Sequence, residues 1–376
     1  MKKLTFVLAL AGILLVSCKE TPAQKFEKEM AAYLEENQVA GLSCCVVKDN
    51  QIIYNQNFGL KDITDPENPV DDNTIFRIAS ISKSFTATSF MQLIEQGKVS
   101  LKDDVSDLLG FKVRNPKFPD TVITLEMLLS HTTSINDSQG YYVTIDVINP
   151  DLNKDADKCY NDYEPGKGYE YCNLNLNLAG TILEKISGER FDQYVVNHVL
   201  EPLELYGGYC VDSLDRSRFA HLYEWNTDHF EDQYEDAYDP RSEKIANYTF
   251  GHDALLFSPT GGMKISAIDL AKYMIMHMNY GYSPLTDKRI IAEELSKDMQ
   301  IPRSSDENYG LCLWQTDEYS PGVTLVGHTG GAYGLCSAMF FNPEEKYGFT
   351  VICSGSSAGR PHYDVLCRLY NCFIKK

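Results

Sequence analysis

Strand-like patterns stand at the two ends of this chain and helices fill the middle, a layout that few folds accommodate. Near the N-terminus, Leu42 to Val47 and Ile52 to Phe58 read as two strands around the turn Lys48-Asp49-Asn50. Near the C-terminus, Leu311 to Gln315, Val323 to Val326, Leu335 to Phe341 and Phe349 to Cys353 read the same way. Amphipathic helices flank them, Gln24 to Asn37 before the first strand and His362 to Phe373 after the last. From about residue 71 to 254 the chain is mainly helices and loops. An α/β (α+β) architecture follows, with one antiparallel sheet built from both termini and a mainly helical domain inserted into it. The expected division is an α/β part at about 24–70 and 255–376, and a helical part at about 71–254.

The first residues belong to neither part. Lys2 and Lys3 precede an apolar run from Leu4 to Val16, too short to span a bilayer and patterned as a secretory signal. Its ending, Leu15-Val16-Ser17-Cys18, resembles a bacterial lipobox. Residues 1–18 would then be the signal and Cys18 the lipidated first residue of an exported protein tethered to the envelope, with its periplasmic or surface side left open. Ten further cysteines are compatible with that compartment. Most sit inside apolar strand or helix patterns, as buried small hydrophobes do. Few or no bridges are expected, and Cys159 with Cys172 is the pair to test. The net charge of −19 excludes a nucleic-acid partner, which needs clustered Lys and Arg.

Chemistry concentrates at Arg77-Ile78-Ala79-Ser80-Ile81-Ser82-Lys83-Ser84-Phe85-Thr86, which holds the chain's only Ser-x-x-Lys. Ile81, Phe85, Phe90, Met91, Leu93 and Ile94 make the following helix apolar on most sides, hence buried, and Gly97 stops it. Ser80 falls in its first turn, with Lys83 one turn on and on the same face. A helix N-terminus offers free N–H groups to an oxyanion, and a buried Lys gives up its charge and takes a hydroxyl proton. Alone the motif is weak, since Ser often caps helices and Lys is usually solvated. Two further motifs add to it. Tyr169-Glu170-Tyr171-Cys172-Asn173 stands before the helix Asn173 to Ser187, and Gly327-His328-Thr329-Gly330-Gly331 lies at a strand end. A third set of residues, His229 within and His221 and His252 on either side of an acidic, aromatic stretch (Tyr223 to Glu243, read as an exposed loop), lies near carboxylates but without metal-ligand spacing.

Ser-x-x-Lys, Tyr-x-Asn and His-Thr-Gly in that order resemble the serine β-lactamase and penicillin-binding protein superfamily, particularly its class C branch. Phe76 to Ala87, Leu128-Leu129-Ser130-His131-Thr132 and Ser258-Pro259-Thr260-Gly261-Gly262-Met263 share the likeness, which runs from about Gln24 to the C-terminus. The resemblance implies a β-lactamase/DD-peptidase-like fold and a hydrolase working without metal or cofactor on a small-molecule or peptide substrate. Ser80 would be the nucleophile, and Lys83 and Tyr171 would share its proton, either being the base. The backbone N–H groups of Ser80 and Gly331 would form the oxyanion hole. Asn173 would bind the substrate amide, while His328, Thr329 and Gly330 would line the opposite side.

Two departures bear on substrate. Class C enzymes generally carry Lys where this chain has His328, and a neutral His offers no fixed charge to a β-lactam carboxylate. His there is similar to the esterase, D-amino-acid amidase and peptidase relatives. After His131 relatives usually read Thr-Ser-Gly, here Thr132-Thr133-Ser134, so the loop into the site is expected to differ. An ester or amide hydrolase is therefore the implied activity. The alternatives are a D-alanyl-D-alanine carboxypeptidase, a class C β-lactamase, or a sensor that is acylated without turnover. The sequence leaves oligomeric state open.

Overall fold

Asp49 and Asn50 both take left-handed backbone (φ 50° and 67°), the conformation of a two-residue hairpin turn, and they join β1 (Gly41–Lys48) to β2 (Gln51–Gly59). This hairpin is one edge of a sheet completed by β3 (Trp314–Thr316), β4 (Leu325–Ala332), β5 (Leu335–Asn342) and β6 (Tyr347–Cys353). The order is β3-β4-β5-β6-β1-β2, antiparallel throughout. N- and C-terminal segments meet at β1 and β6, from Leu42 opposite Cys353 to Lys48 opposite Tyr347. The computed structural model describes residues 20–142 and 144–375. The expected signal sequence and the lipidated Cys18 lie outside the described residues.

Six helices frame the sheet and the cleft beside it: α1 (Pro22–Glu36), α2 (Ser82–Glu95), α3 (Leu125–Ser130), α4 (Asn173–Ser187), α5 (Ala267–Met278) and α6 (Pro361–Leu369). Alternation along β1 sends Cys44 and Val46 to one face of the sheet and Cys45 and Val47 to the other. The first face packs under α1 and α6 through Phe26, Met30, Val365 and Leu366. The second merges with α5 and the inserted helices in one continuous core that includes Phe85, Leu178 and Met274. Helix α2 lies inside it, buried from Ser82 to Leu93, as an all-round apolar pattern requires.

Several expectations change in detail, among them the strand expected at Val323 to Val326, which runs from Leu325 to Ala332, and the last helix, which gives way to a π turn after Leu369. Ser80 sits in a single 3₁₀ turn, Ala79–Ile81, that leads into α2 rather than in its first α-helical turn. The strand expected at Leu311 to Gln315 narrows to β3, because Cys312 takes a left-handed φ of 57° that no strand continues through. Phe191 to Leu200 is an α-helix only to Val195 and then a π turn. Tyr223 to Glu243 is not an open loop: it forms a hairpin, Tyr223–Asn226 with His229–Asp232, and buries Tyr223 and Tyr238. The ten described cysteines are all free. Cys159 and Cys172 bond separately, to the Val147 carbonyl and the Asp137 carboxylate. Among the described residues no helix is long and apolar enough to cross a membrane.

Candidate active site

The chain reaches Ser80 along a two-residue strand, Phe76–Arg77, paired with Lys264–Ile265. Ala79 then takes φ 47°, a left-handed conformation costly for a residue with a Cβ. Ser82 holds the turn in place: its hydroxyl donates to the Ala79 carbonyl at 2.6 Å and accepts from the Met263 amide at 3.0 Å. The nucleophile candidate is therefore pinned to the loop Ser258-Pro259-Thr260-Gly261-Gly262.

Lys83 is fully buried, and its Nζ has three neighbours within hydrogen-bond reach. They are Ser80 Oγ at 3.0 Å, Asn173 Oδ1 at 2.9 Å and the Thr260 carbonyl at 2.9 Å. Loss of water around the amine pushes Lys83 down to about 7. The partners decide what deprotonation does. Asn173 Oδ1 and the Thr260 carbonyl are acceptors only, so they keep two N–H bonds. The lone pair freed on the amine therefore faces the Ser80 hydroxyl.

Asn173 and Tyr171 are set by the start of α4. Cys172 gives that helix no side-chain cap. Asp137 supplies one from a distant loop. Its Oδ1 accepts from the Leu174 amide at 2.9 Å, and its Oδ2 from the Asn173 amide at 2.9 Å and Nδ2 at 3.0 Å. Because a carboxylate must receive the NH₂ end, the Asn173 oxygen is turned toward Lys83, and Thr260 Oγ1 also donates to it at 2.8 Å. Its amide is thus engaged on both sides by protein rather than held free for a substrate. The Tyr171 ring passes 4.8 Å from Lys83 Nζ and is 37 % exposed along the cleft. Enclosure on its remaining sides raises its phenol, with Ser80 opposing the rise, so the hydroxyl stays protonated.

Strand β4 forms the facing wall. A Cβ on Gly330 would lie 2.3 Å from the Ile78 carbonyl and 2.5 Å from Ser337 Oγ, so only glycine lets β4 come this close. Ser337 Oγ donates to that same carbonyl at 3.0 Å. A cleft of about 900 Å³ opens here, lined among others by Ser80, Tyr171, Asn173, Thr260 and Gly331. His328, Thr329 and Gly330 are not part of its lining. His328 is buried, with Nδ1 against the Thr329 carbonyl and Nε2 2.9 Å from the Tyr309 hydroxyl. A carbonyl only accepts, so Nδ1 carries the hydrogen and Nε2 accepts from Tyr309. Burial, with Lys83 nearby, pushes His328 down to about 3, a neutral ring. His131 backs Tyr171 at 4.4 Å between ring centres, and its Nδ1 accepts from the Cys172 amide at 3.2 Å.

Sequence reasoning missed Asp137, Tyr309 and the Thr260 carbonyl. Asp137 stands in a polar run with nothing in its spacing to mark it, and a carbonyl has no side-chain signature. In the loop after His131, Ser134 takes a left-handed φ of 62°, a conformation that glycine adopts at less cost. His221, His229 and His252 are each paired with carboxylates, and among the described residues no group is arranged to hold a metal.

Comparison with known proteins gives the family and the fold. A family model described as Beta-lactamase matches residues 26–365. A curated relative, Protein flp of Staphylococcus aureus (strain N315), is 24 % identical over 343 residues, covering 89 % of this chain and 63 % of the relative. The chain thus spans less than two thirds of that relative's length. Among solved structures, the octameric penicillin-binding protein homologue from Pyrococcus abyssi superposes with TM-score 0.74 at 26 % identity. That match covers 93 % of this chain and 76 % of the homologue. The D-amino acid amidase from Ochrobactrum anthropi SV3, complexed with D-phenylalanine, superposes with TM-score 0.71 at 18 % identity, over 93 % and 97 % of the two chains.

Proposed function

The chain belongs to the beta-lactamase family of serine hydrolases, and we propose that it cleaves an ester or amide through an acyl-enzyme on Ser80. The observation that carries this reading is the arrangement at Lys83, whose amine has two fixed acceptors and one remaining direction, toward Ser80 Oγ. Near neutral pH a sizeable fraction of Lys83 is unprotonated and serves as the base. It takes the Ser80 proton as the Oγ–C bond forms. The amides of Ser80 and Gly331 receive the negative charge on the former carbonyl oxygen. Collapse breaks the bond to the leaving group, which takes a proton from the Lys83 ammonium directly or through the Tyr171 hydroxyl. Water then attacks the ester carbonyl, Lys83 accepts its proton, and the proton returns to Ser80 Oγ as the acid leaves.

The neutral His328, tied to Tyr309, favours this over β-lactam hydrolysis or D-alanyl-D-alanine cleavage, in which a fixed cation would hold the substrate carboxylate. The N-terminal pattern adds a proposal of its own, that Cys18 anchors the protein by lipid in the bacterial envelope; Cys18→Ser should move it from the membrane fraction to the soluble one. For the chemistry, the test is intact-protein mass of a form starting at Lys19, wild type beside Ser80→Ala. Each is treated with an activated ester, a penicillin and a fluorophosphonate. A Ser80-dependent adduct or turnover is expected with the ester and the fluorophosphonate. A stable penicillin adduct alone would favour a sensor, and no adduct on folded protein would overturn the hydrolase reading.

A further inference from the structure

The far end of the cleft carries charge that the chemistry at Lys83 does not use. Arg77, three residues before Ser80, is 8 % exposed and lines the cleft. Its guanidinium donates only to backbone carbonyls, Gly261 at 2.9 Å and Ala237 at 3.1 Å, and lies 4.8 Å over the Tyr333 ring. No carboxylate pairs with it among the described residues. Arg241 and Lys244, also in the lining, share a single carboxylate, Asp239. The Arg241 Nε has no hydrogen-bond partner. Glu224 is the opposing lining charge outside any ion pair among the described residues, while Asp253 is held by His252. Arg77 is thus a buried lining cation without a counter-ion among the described residues, in a protein whose net charge is −19. A buried, unpaired guanidinium is costly unless a ligand supplies the missing charge.

Position on β4 says which part of a substrate would meet it. His328 lies three residues before Gly331 and beside Tyr171, whereas Tyr333 lies two residues after it, in the turn just past the end of β4. At about 3.3 Å per residue along a strand, the two mark opposite ends of the wall. The leaving group needs its proton from Lys83 or Tyr171 and so sits at their end. The acyl part extends the other way, toward Arg77, Tyr333 and Arg241. Resting on the acyl-enzyme reading, we propose that the acyl group this protein accepts bears a carboxylate, received by Arg77 and Arg241.

The experiment compares kcat/KM for the 4-nitrophenyl monoesters of adipic and suberic acid with the hexanoate and octanoate esters, corrected for spontaneous hydrolysis. The carboxylated esters should be preferred about tenfold or more, as a charge-assisted pair would give. The ratio should fall toward one in Arg241→Gln, recover in part in Arg241→Lys, and decline with added salt. Equal or lower rates for the carboxylated esters in the wild type, or a ratio unchanged in Arg241→Gln, would overturn the proposal. Binding of adipate and suberate to Ser80→Ala protein by calorimetry separates the two readings. Neutral esters turned over without diacid binding or preference would sink the anion site alone. Diacid binding that Arg241→Gln abolishes, without turnover of any ester, would sink the acyl-enzyme and keep the site. Neither turnover nor binding would sink both.

Discussion

In the proposed mechanism Lys83 is the base because its neighbours leave it one free direction. Two acceptors hold two of its hydrogens, and burial sets the remaining proton loose near neutrality. A depressed lysine is charged below its pKa and free above it, so base catalysis should be lost as pH falls through about 7. The acid limb of kcat/KM measured with a neutral ester should therefore have its midpoint near 7. Asp137 bears on the same number. Its negative charge favours the ammonium, opposing burial. Asp137→Asn should move the acid limb to lower pH and, by weakening the cap of α4, reduce stability by about 1 kcal/mol. A drop in melting temperature with an unmoved acid limb would leave Asp137 a cap and nothing more.

Helices and loops meet at the site through tight approaches as well as through side-chain hydrogen bonds. Gly180 of α4 is one, since a Cβ there would stand 2.3 Å from Pro259 Cγ. Gly180→Ala should press on the loop carrying the Thr260 carbonyl, costing about 1–3 kcal/mol in stability and lowering kcat more than it raises KM. An alanine variant with unaltered kinetics would show that the loop has slack. At this scale the sequence was readable where one period ran unbroken. Helices α3 and α4 begin and end where Leu125, Ser130, Asn173 and Ser187 place them. It was unreadable where one residue reversed the backbone, as Cys312 does inside an apolar run, or where tertiary contacts buried tyrosines in an acidic stretch, as at Tyr223 and Tyr238. The site divides the same way. Ser80, Lys83, Tyr171 and Asn173 announce themselves by spacing and converge. His328 kept its place in the motif but turned its ring to Tyr309.

For the molecule as a whole, the second face of the sheet and the inserted helices share one core. The two parts drawn from the sequence should therefore unfold together, in a single calorimetric transition with matching calorimetric and van't Hoff enthalpies. Two resolved transitions would restore the helical insertion as an independent unit.

Sheet strands drawn from both termini also impose a timetable. As the chain is synthesised, Ser80 emerges long before Gly331, and the Ile78 carbonyl waits for Ser337, 259 positions downstream. Strand β1 has its hairpin partner at once but not β6. A ribosome that stalls after Lys83 but before the last strands releases a chain with its serine and lysine but without the wall that faces them. Such fragments should be unable to react, which spares the cell from half-made hydrolases.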